Sequence, residues 1–433
     1  MVKKVILAVA GSGKTYHICH AINREKRNLI LAFTKANVAN IKRELEDAFG
    51  SMPRHTIVQT FDSFVYQNFI LPHERTIRLF FGSPGFKSTG ITMVDPPPKP
   101  KSKKKSGKTS EVRSEDGERE DGQRIKATKG RYFPKDKLQH YITNSHEYYC
   151  ATLSELALYV DFSNLKNNER FKKEESLIVK ALRRLGIFYD SILIDEFQDF
   201  RRYDFDLLMR LVKGDFDLVM VGDYFQHSVA PFNNYGKPFD NKDLKDFVSF
   251  LKKQGFEVDQ STLLSSRRCS VGVCDFVSKK LNVPIESSNE NIGEVLWADN
   301  RIKEILDDDR IVKLFYNVPD GAEYKVNSWS YSKGDTYDAV CVFLTKKFEK
   351  LGCESFNLET ERVGEITRNK LYVAMTRTRG DLFLVRQSAY KAYLEGRSSV
   401  DMKCRENLFS QRFTDQPSLF EESELPMGPK ENK

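Results

Sequence analysis

Val5-Ile-Leu-Ala8-Val-Ala-Gly11-Ser12-Gly13-Lys14-Thr15, near the start of the 433-residue chain, reads as a short apolar strand running into a glycine turn and then a helix. A strand that ends in glycines before a helix brings backbone N–H groups and a helix N-terminus to one point, where phosphate is favoured. Gly11 and Gly13, with Ser12 between them, let the backbone curl around β- and γ-phosphates. Lys14 neutralises their charge and Thr15 offers a hydroxyl to Mg²⁺. Ala8 stands where the first glycine of such a loop usually lies, leaving the Gly-Lys-Thr core intact.

The same rhythm continues outward. The spacing predicts a helix from Tyr16 to about Lys26, a strand at Asn28–Phe33, a helix at Ala36–Phe49, a strand at Thr56–Gln59 and a helix starting near Asp62. This alternation signals a parallel α/β sheet. It resumes in strands Ser191–Ile194 and Leu218–Val221 around a helix Asp204–Val212, and again at Tyr331–Leu344 and Ile366–Val385. Composition breaks at Gly82. Residues 83–129 are rich in Pro, Lys, Ser and Gly and cannot bury enough apolar surface to offset chain entropy, so they read as a flexible basic linker, either solvated or resting on phosphates. Order returns near Tyr132, through helices Leu153–Val160 and Glu174–Leu185.

With 40% hydrophobic and 30% charged residues, the chain is a soluble globular protein of about two to four domains, disordered only locally. The charge balance, 69 − 61 = +8, fits a polyanionic partner without establishing one. No apolar run reaches the ~18 to 20 residues that span a bilayer, and the first apolar run is too short for a secretory signal. The expected location is the cytoplasm, with no membrane partner. The seven cysteines lack zinc-ligand spacing and read as reduced structural thiols.

Ile194-Asp195-Glu196-Phe197-Gln198-Asp199 directly follows an apolar strand. A carboxylate there can hold Mg²⁺ and its neighbour can take a proton from an attacking water, which assigns Asp195 to the metal and Glu196 to the base.

These motifs, with others in order, resemble superfamily 1A helicases of the UvrD, Rep and PcrA type. Phe33-Thr34-Lys-Ala-Asn37 resembles motif Ia, and Gln59-Thr60-Phe61-Asp62-Ser63 the strand-exit motif after it. Asp195-Glu-Phe-Gln-Asp199 resembles motif II, Val221-Gly-Asp-Tyr-Phe-Gln226 motif III, and Ser266-Arg-Arg268-Cys motif IV. Ser332-Lys-Gly-Asp-Thr-Tyr-Asp338 resembles motif V, and Leu371-Tyr-Val-Ala-Met-Thr-Arg377 motif VI. The resemblance implies two RecA-like P-loop NTPase domains with parallel sheets, an inserted 1B-type subdomain, and ATP with Mg²⁺ between the lobes. By residues the layout is 1–82 for the first part of 1A, 83–184 for the 1B-type insertion, 185–262 for the rest of 1A, 263–411 for 2A and 412–433 for a flexible tail.

The same resemblance implies that Gln198 and Gln226 sense the γ-phosphate and that Arg268 and Arg377 act as charge-stabilising fingers. Lys333 and Gly334 form the second wall of the cleft. Single-stranded DNA or a tailed duplex is the implied partner, with Phe33 stacking on a base, Thr34 and Thr60 on phosphates, and Phe232 in place of the usual aromatics after motif III.

Two departures bear on function. The glutamine that reads adenine in relatives, upstream of the first strand, has no counterpart, and Thr336 replaces a ribose-contacting glutamate, so base discrimination is expected to be loose. Only residues 270–330 separate motifs IV and V, where full-length relatives carry a large 2B domain. This favours DNA-stimulated ATP hydrolysis and 3′–5′ translocation over processive unwinding. In the tail, Gln416-Pro-Ser-Leu419-Phe420 resembles the pentapeptide that binds the bacterial sliding clamp. Two rivals stand beside the motor: a DNA-stimulated ATPase sensor acting with an effector subunit, as in anti-phage defence, and a P-loop NTPase or kinase unrelated to DNA.

Overall fold

The computed structural model describes residues 1–100, 131–162, 174–229, 238–239, 243–288 and 292–396. In chain order the strands are β1 (Lys3–Ala8), β2 (Asn28–Ala32), β3 (Thr56–Thr60), β4 (Gly90–Thr92), β5 (Glu147–Tyr149), β6 (Ser191–Ile194), β7 (Asp217–Gly222), β8 (Glu257–Leu263), β9 (Ser265–Ser266), β10 (Glu286–Ser287), β11 (Val295–Trp297), β12 (Ile311–Phe315), β13 (Val326–Ser328), β14 (Ala339–Phe343) and β15 (Leu382–Val385). A six-stranded sheet in the order β3-β2-β6-β7-β1-β8 forms the first lobe, and a five-stranded sheet in the order β11-β15-β14-β12-β13 forms the second. The pairings within both are parallel. These are the two α/β lobes that the motif order implies.

A parallel sheet must be covered on both faces, and the first lobe divides its strand residues by alternation to do so. Val5, Leu7, Leu29, Leu31, Ile192 and Ile194 face the main core, which also holds the insertion between β3 and β6. Ile6, Ala8, Ile30, Ala32, Leu193 and Val221 face helices Lys14–His20 and Lys35–Phe49. The main core does not stop at the lobe boundary: it runs on through Tyr224, Phe225 and Tyr372 into Val340, Val342 and Leu384 of the second sheet.

Several expectations need correction. The first helix ends at His20 rather than near Lys26, because the following turn is held by Asn28, whose side-chain amide donates to the carbonyls of Asn23 and Lys26. Part of the 83–129 linker is structured. Phe86 is buried, and Gly90–Thr92 pairs with β5, because Phe86 and Ile91 supply apolar contacts that the basic composition hides. Residues 101–129 and the tail 412–433 lie outside the described residues. The 184/185 boundary cuts helix Leu177–Phe188, whose buried residues Leu177, Ala181, Leu182 and Leu185 bind its two halves to one core. Residues 270–330 supply helices Val271–Leu281 and Ile302–Asp307 and strands β10 to β13, so among the described residues this span builds the second lobe itself. Cys19, Cys150, Cys269, Cys274 and Cys341 are buried thiols outside any disulfide. Cys353, expected reduced, is disulfide-bonded.

Candidate active site

The C-terminal ends of β1, β6 and β7 are neighbours in the sheet, and the loops leaving them meet at one point, where open α/β sheets bind ligands. Gly11 and Gly13 both take positive φ (+73° and +84°), the conformation that turns successive N–H groups inward. At Gly11 a Cβ would also lie 2.6 Å from Ser266 Oγ and 2.7 Å from Arg268 Cβ, so the second lobe's approach requires glycine there. Ser12 is buried and donates to the Val9 carbonyl (2.9 Å), while Ala8 packs in the sheet.

Thr15 Oγ1 donates to Asp195 Oδ2 (2.9 Å), placing hydroxyl and carboxylate side by side, the pair a Mg²⁺ would use. Among the described residues no group of three or more His, Cys, Asp or Glu ligands assembles. Lys14 Nζ lies 3.3 Å from Glu196 Oε1. Glu196 itself sits at φ +51°, ψ +43°, a left-handed backbone that non-glycine residues adopt at some cost and that is concentrated at functional sites. Burial and then the Glu196 charge push Asp195 up. Burial opposes ionisation of Glu196 too, but Lys14 and Lys333 outweigh it and hold Glu196 low. Lys14 and Lys333 thus favour the charged form of Glu196, and Asp195 is the carboxyl whose charge a nearby cation would favour.

Gln198 is fully buried; its amide nitrogen donates to Glu196 Oε2 and its Oε1 accepts from the Asp223 N–H (3.0 Å). Gln226 Nε2 donates to Asp223 Oδ2 (2.8 Å). Both glutamines thus belong to one network with the carboxylates.

The second lobe contributes Arg268, whose Nη1 donates to the Thr376 carbonyl (3.1 Å), and Arg377, buried, with Nε donating to the Val373 carbonyl (2.9 Å). Burial, and then Arg268, lowers Arg377 to about 10, and the Glu196 charge acts on both arginines in the opposite sense. Arg268 backs onto the phosphate loop at Gly11, and these guanidinium hydrogen bonds of both arginines, with that from Arg377 Nη1 to the Asp335 carbonyl (3.4 Å), end on carbonyls of the second lobe. Lys333 Nζ pairs with Asp199, and Gly334 takes φ +96°. Burial works against the Lys333 charge, but Asp199 and Glu196 prevail and raise its pKa.

The expected DNA contacts are not brought into this cluster. Phe33 is half-buried, edge-on to Phe200 (5.4 Å between centroids). Thr34 Oγ1 accepts from Asn37 N (3.1 Å) as the cap of helix Lys35–Phe49, and Thr60 caps Phe61–Val65 through Ser63. Phe232, Gln416, Leu419 and Phe420 lie outside the described residues.

Sequence reasoning passed over Asp223, Tyr372, Asp199 and Gly222, although each stands inside a quoted motif. A Cβ at Gly222 would fall 2.3 Å from Gln198 Oε1, so glycine there makes room for the buried glutamine. Asp223 and Asp199 carry a signal in their acidity after a strand; Tyr372 carries none that a linear reading detects.

Residues 87–228 match the UvrD/REP helicase N-terminal domain. No curated protein matches the chain in sequence. Among solved structures, the arterivirus nonstructural protein 10 helicase is 13% identical over 88% of this chain and 59% of its own, with a TM-score of 0.40. A complex of that protein with DNA gives 14%, 90%, 63% and 0.41. The PRRSV helicase gives 14%, 92%, 55% and 0.38. The chain thus spans roughly 60% of the length of these viral helicases, and at such TM-scores the likeness carries no further argument. In its motif order, its two parallel lobes and the match over residues 87–228, the chain is similar to the UvrD-like helicases of superfamily 1.

Proposed function

We propose that the chain is an ATP-driven, Mg²⁺-dependent motor that moves along single-stranded DNA. The observation that supports this reading is the second lobe's approach to the phosphate loop, where Ser266 and Arg268 close on Gly11 and Tyr372 reaches Ala10, beside the cluster of Lys14, Thr15, Asp195 and Glu196; Arg268 and Arg377 are the proposed arginines of the second lobe. Glu196, ionised and within reach of Lys14, is the proposed base for the attacking water; Gln198 and Asp223 fix its orientation. The arginines stabilise charge that builds on the transferring phosphoryl group. Thr15 and Asp195 would hold Mg²⁺, which would supply Lewis-acid charge to the phosphates when bound. Lobe movement during turnover is the source of stepping on the strand. A 3′–5′ direction and clamp binding through Gln416, Leu419 and Phe420 follow from resemblance and belong to this proposal.

The test is ATP hydrolysis with and without single-stranded DNA. Stimulation by DNA supports the motor, and turnover indifferent to DNA returns the protein to the general P-loop NTPases. Lys14→Ala and Glu196→Gln should each lower DNA-stimulated turnover by about 100-fold or more, with Glu196→Gln still binding ATP. Full turnover in Glu196→Gln shows that the base is another group. One observation favours a second reading, an ATPase sensor working with an effector. Among the described residues, 270–330 build the second lobe, which supports a chain without a separate duplex-engaging domain between motifs IV and V. ATPase stimulation without strand separation on 3′-tailed duplexes distinguishes that reading.

A further inference from the structure

Tyr372 lies in helix Glu365–Met375 of the second lobe, fully buried, yet both of its polar partners belong to the first lobe. Its hydroxyl accepts from the backbone N–H of Ala10, at the entrance of the phosphate loop (2.7 Å), and donates to Asp223 Oδ2 (3.0 Å). From Asp223 the hydrogen bonds continue inward: its N–H donates to Gln198 Oε1 (3.0 Å), and the Gln198 amide nitrogen donates to Glu196 Oε2. One hydroxyl from the mobile side thus joins the phosphate loop to the carboxylate proposed as base, through two intermediate residues.

We propose that Tyr372 is a positioning residue that transmits lobe closure to Glu196. The proposal rests on the motor reading and deepens it. A hydroxyl that must accept from one segment and donate to another is satisfied only when both are in register, and both belong to the lobe opposite its own. When the lobes part, Ala10 N–H and Asp223 Oδ2 lose this partner together, and Gln198 loses a fixed anchor. When they close, the Gln198 amide is aligned and Glu196 is held toward the phosphate loop. Packing alone does not require the oxygen, since the ring already fills the space between Phe225 (centroids 6.2 Å apart) and the cleft.

The experiment compares wild type, Tyr372→Phe, Asp223→Asn and the double variant by steady-state ATP hydrolysis over a range of single-stranded DNA concentrations. Affinity for a fluorescent ATP analogue and melting temperature are measured on the same preparations. Tyr372→Phe keeps the ring, so the expected result is a kcat lowered about 10-fold or more, with nucleotide affinity within about twofold of wild type. DNA stimulation should fall toward unity, and the double variant should lose no more than the worse single. A merely structural tyrosine would lower melting temperature and nucleotide affinity together while leaving DNA stimulation intact, which overturns the proposal. So do losses that multiply in the double variant. A wild type without DNA-stimulated turnover overturns the motor reading and this inference with it, whereas an active wild type with an unaltered Tyr372→Phe overturns the inference alone.

Discussion

Asp223 carries a cost that pH can reveal. It is fully buried, and burial raises its pKa from 3.8 to about 6, against the opposing pull of Lys14 and of hydrogen bonds from Gln226 and Tyr372. Because the folded value lies above the unfolded one, the folded chain binds more protons in between. Stability from this group is therefore highest below about pH 4 and is lost as pH rises to about 6, by about 3 kcal/mol in all. Urea unfolding of wild type and Asp223→Asn across that range should show the difference narrowing or reversing in favour of the variant as pH rises; parallel curves would refute the assignment. At the neighbouring position, Gly222→Ala should cost about 1–3 kcal/mol, because the added methyl meets Gln198 and Phe197 at 2.3 and 2.6 Å. Its turnover should fall further than its stability, since the displaced side chain is the one that orients Glu196.

Helix Lys35–Phe49 illustrates how an element can hold both a structural and a functional expectation. Thr34 caps it through Asn37 N. Thr34→Ala should cost about 1 kcal/mol in urea unfolding, and Thr34→Ser should restore it. If the hydroxyl also serves DNA phosphates, fluorescence anisotropy with a labelled oligonucleotide will show Ala weakening binding and Ser rescuing it. The same element shows which parts were legible in advance. Strand, glycine turn and helix at Val5–His20, and the acidic run after Ile194, are contiguous, so alternation and residue type suffice to read them. The cleft between lobes is not contiguous. Tyr372 lies 362 residues from Ala10 and 149 from Asp223, and neither separation leaves a mark in sequence. Phe86 and Ile91 were hidden in a basic stretch whose composition outweighed two apolar side chains. Conversely Phe33, read as a stacking platform, rests on Phe200, because an aromatic at a strand exit can serve core and ligand alike.

At the scale of the whole molecule, a net charge of +8 is compatible with the grip on backbone phosphates proposed above, and the described part of residues 270–330 builds the second lobe. Affinity for single-stranded DNA should fall linearly on a log–log salt plot with slope of about −0.7 per phosphate neutralised; a flat plot would place recognition elsewhere. The unbroken apolar core that crosses from Phe225 to Tyr372 has a further consequence. Parting the lobes wets hydrophobic surface, so the resting equilibrium is weighted toward the shut form. For the proposed motor, escape of spent nucleotide rather than bond cleavage is then the expected slow step of the cycle. Rapid quench-flow should detect a burst of phosphate near one per molecule before the slower linear phase, and mild denaturant, by loosening that seam, should quicken the linear phase before it harms the protein.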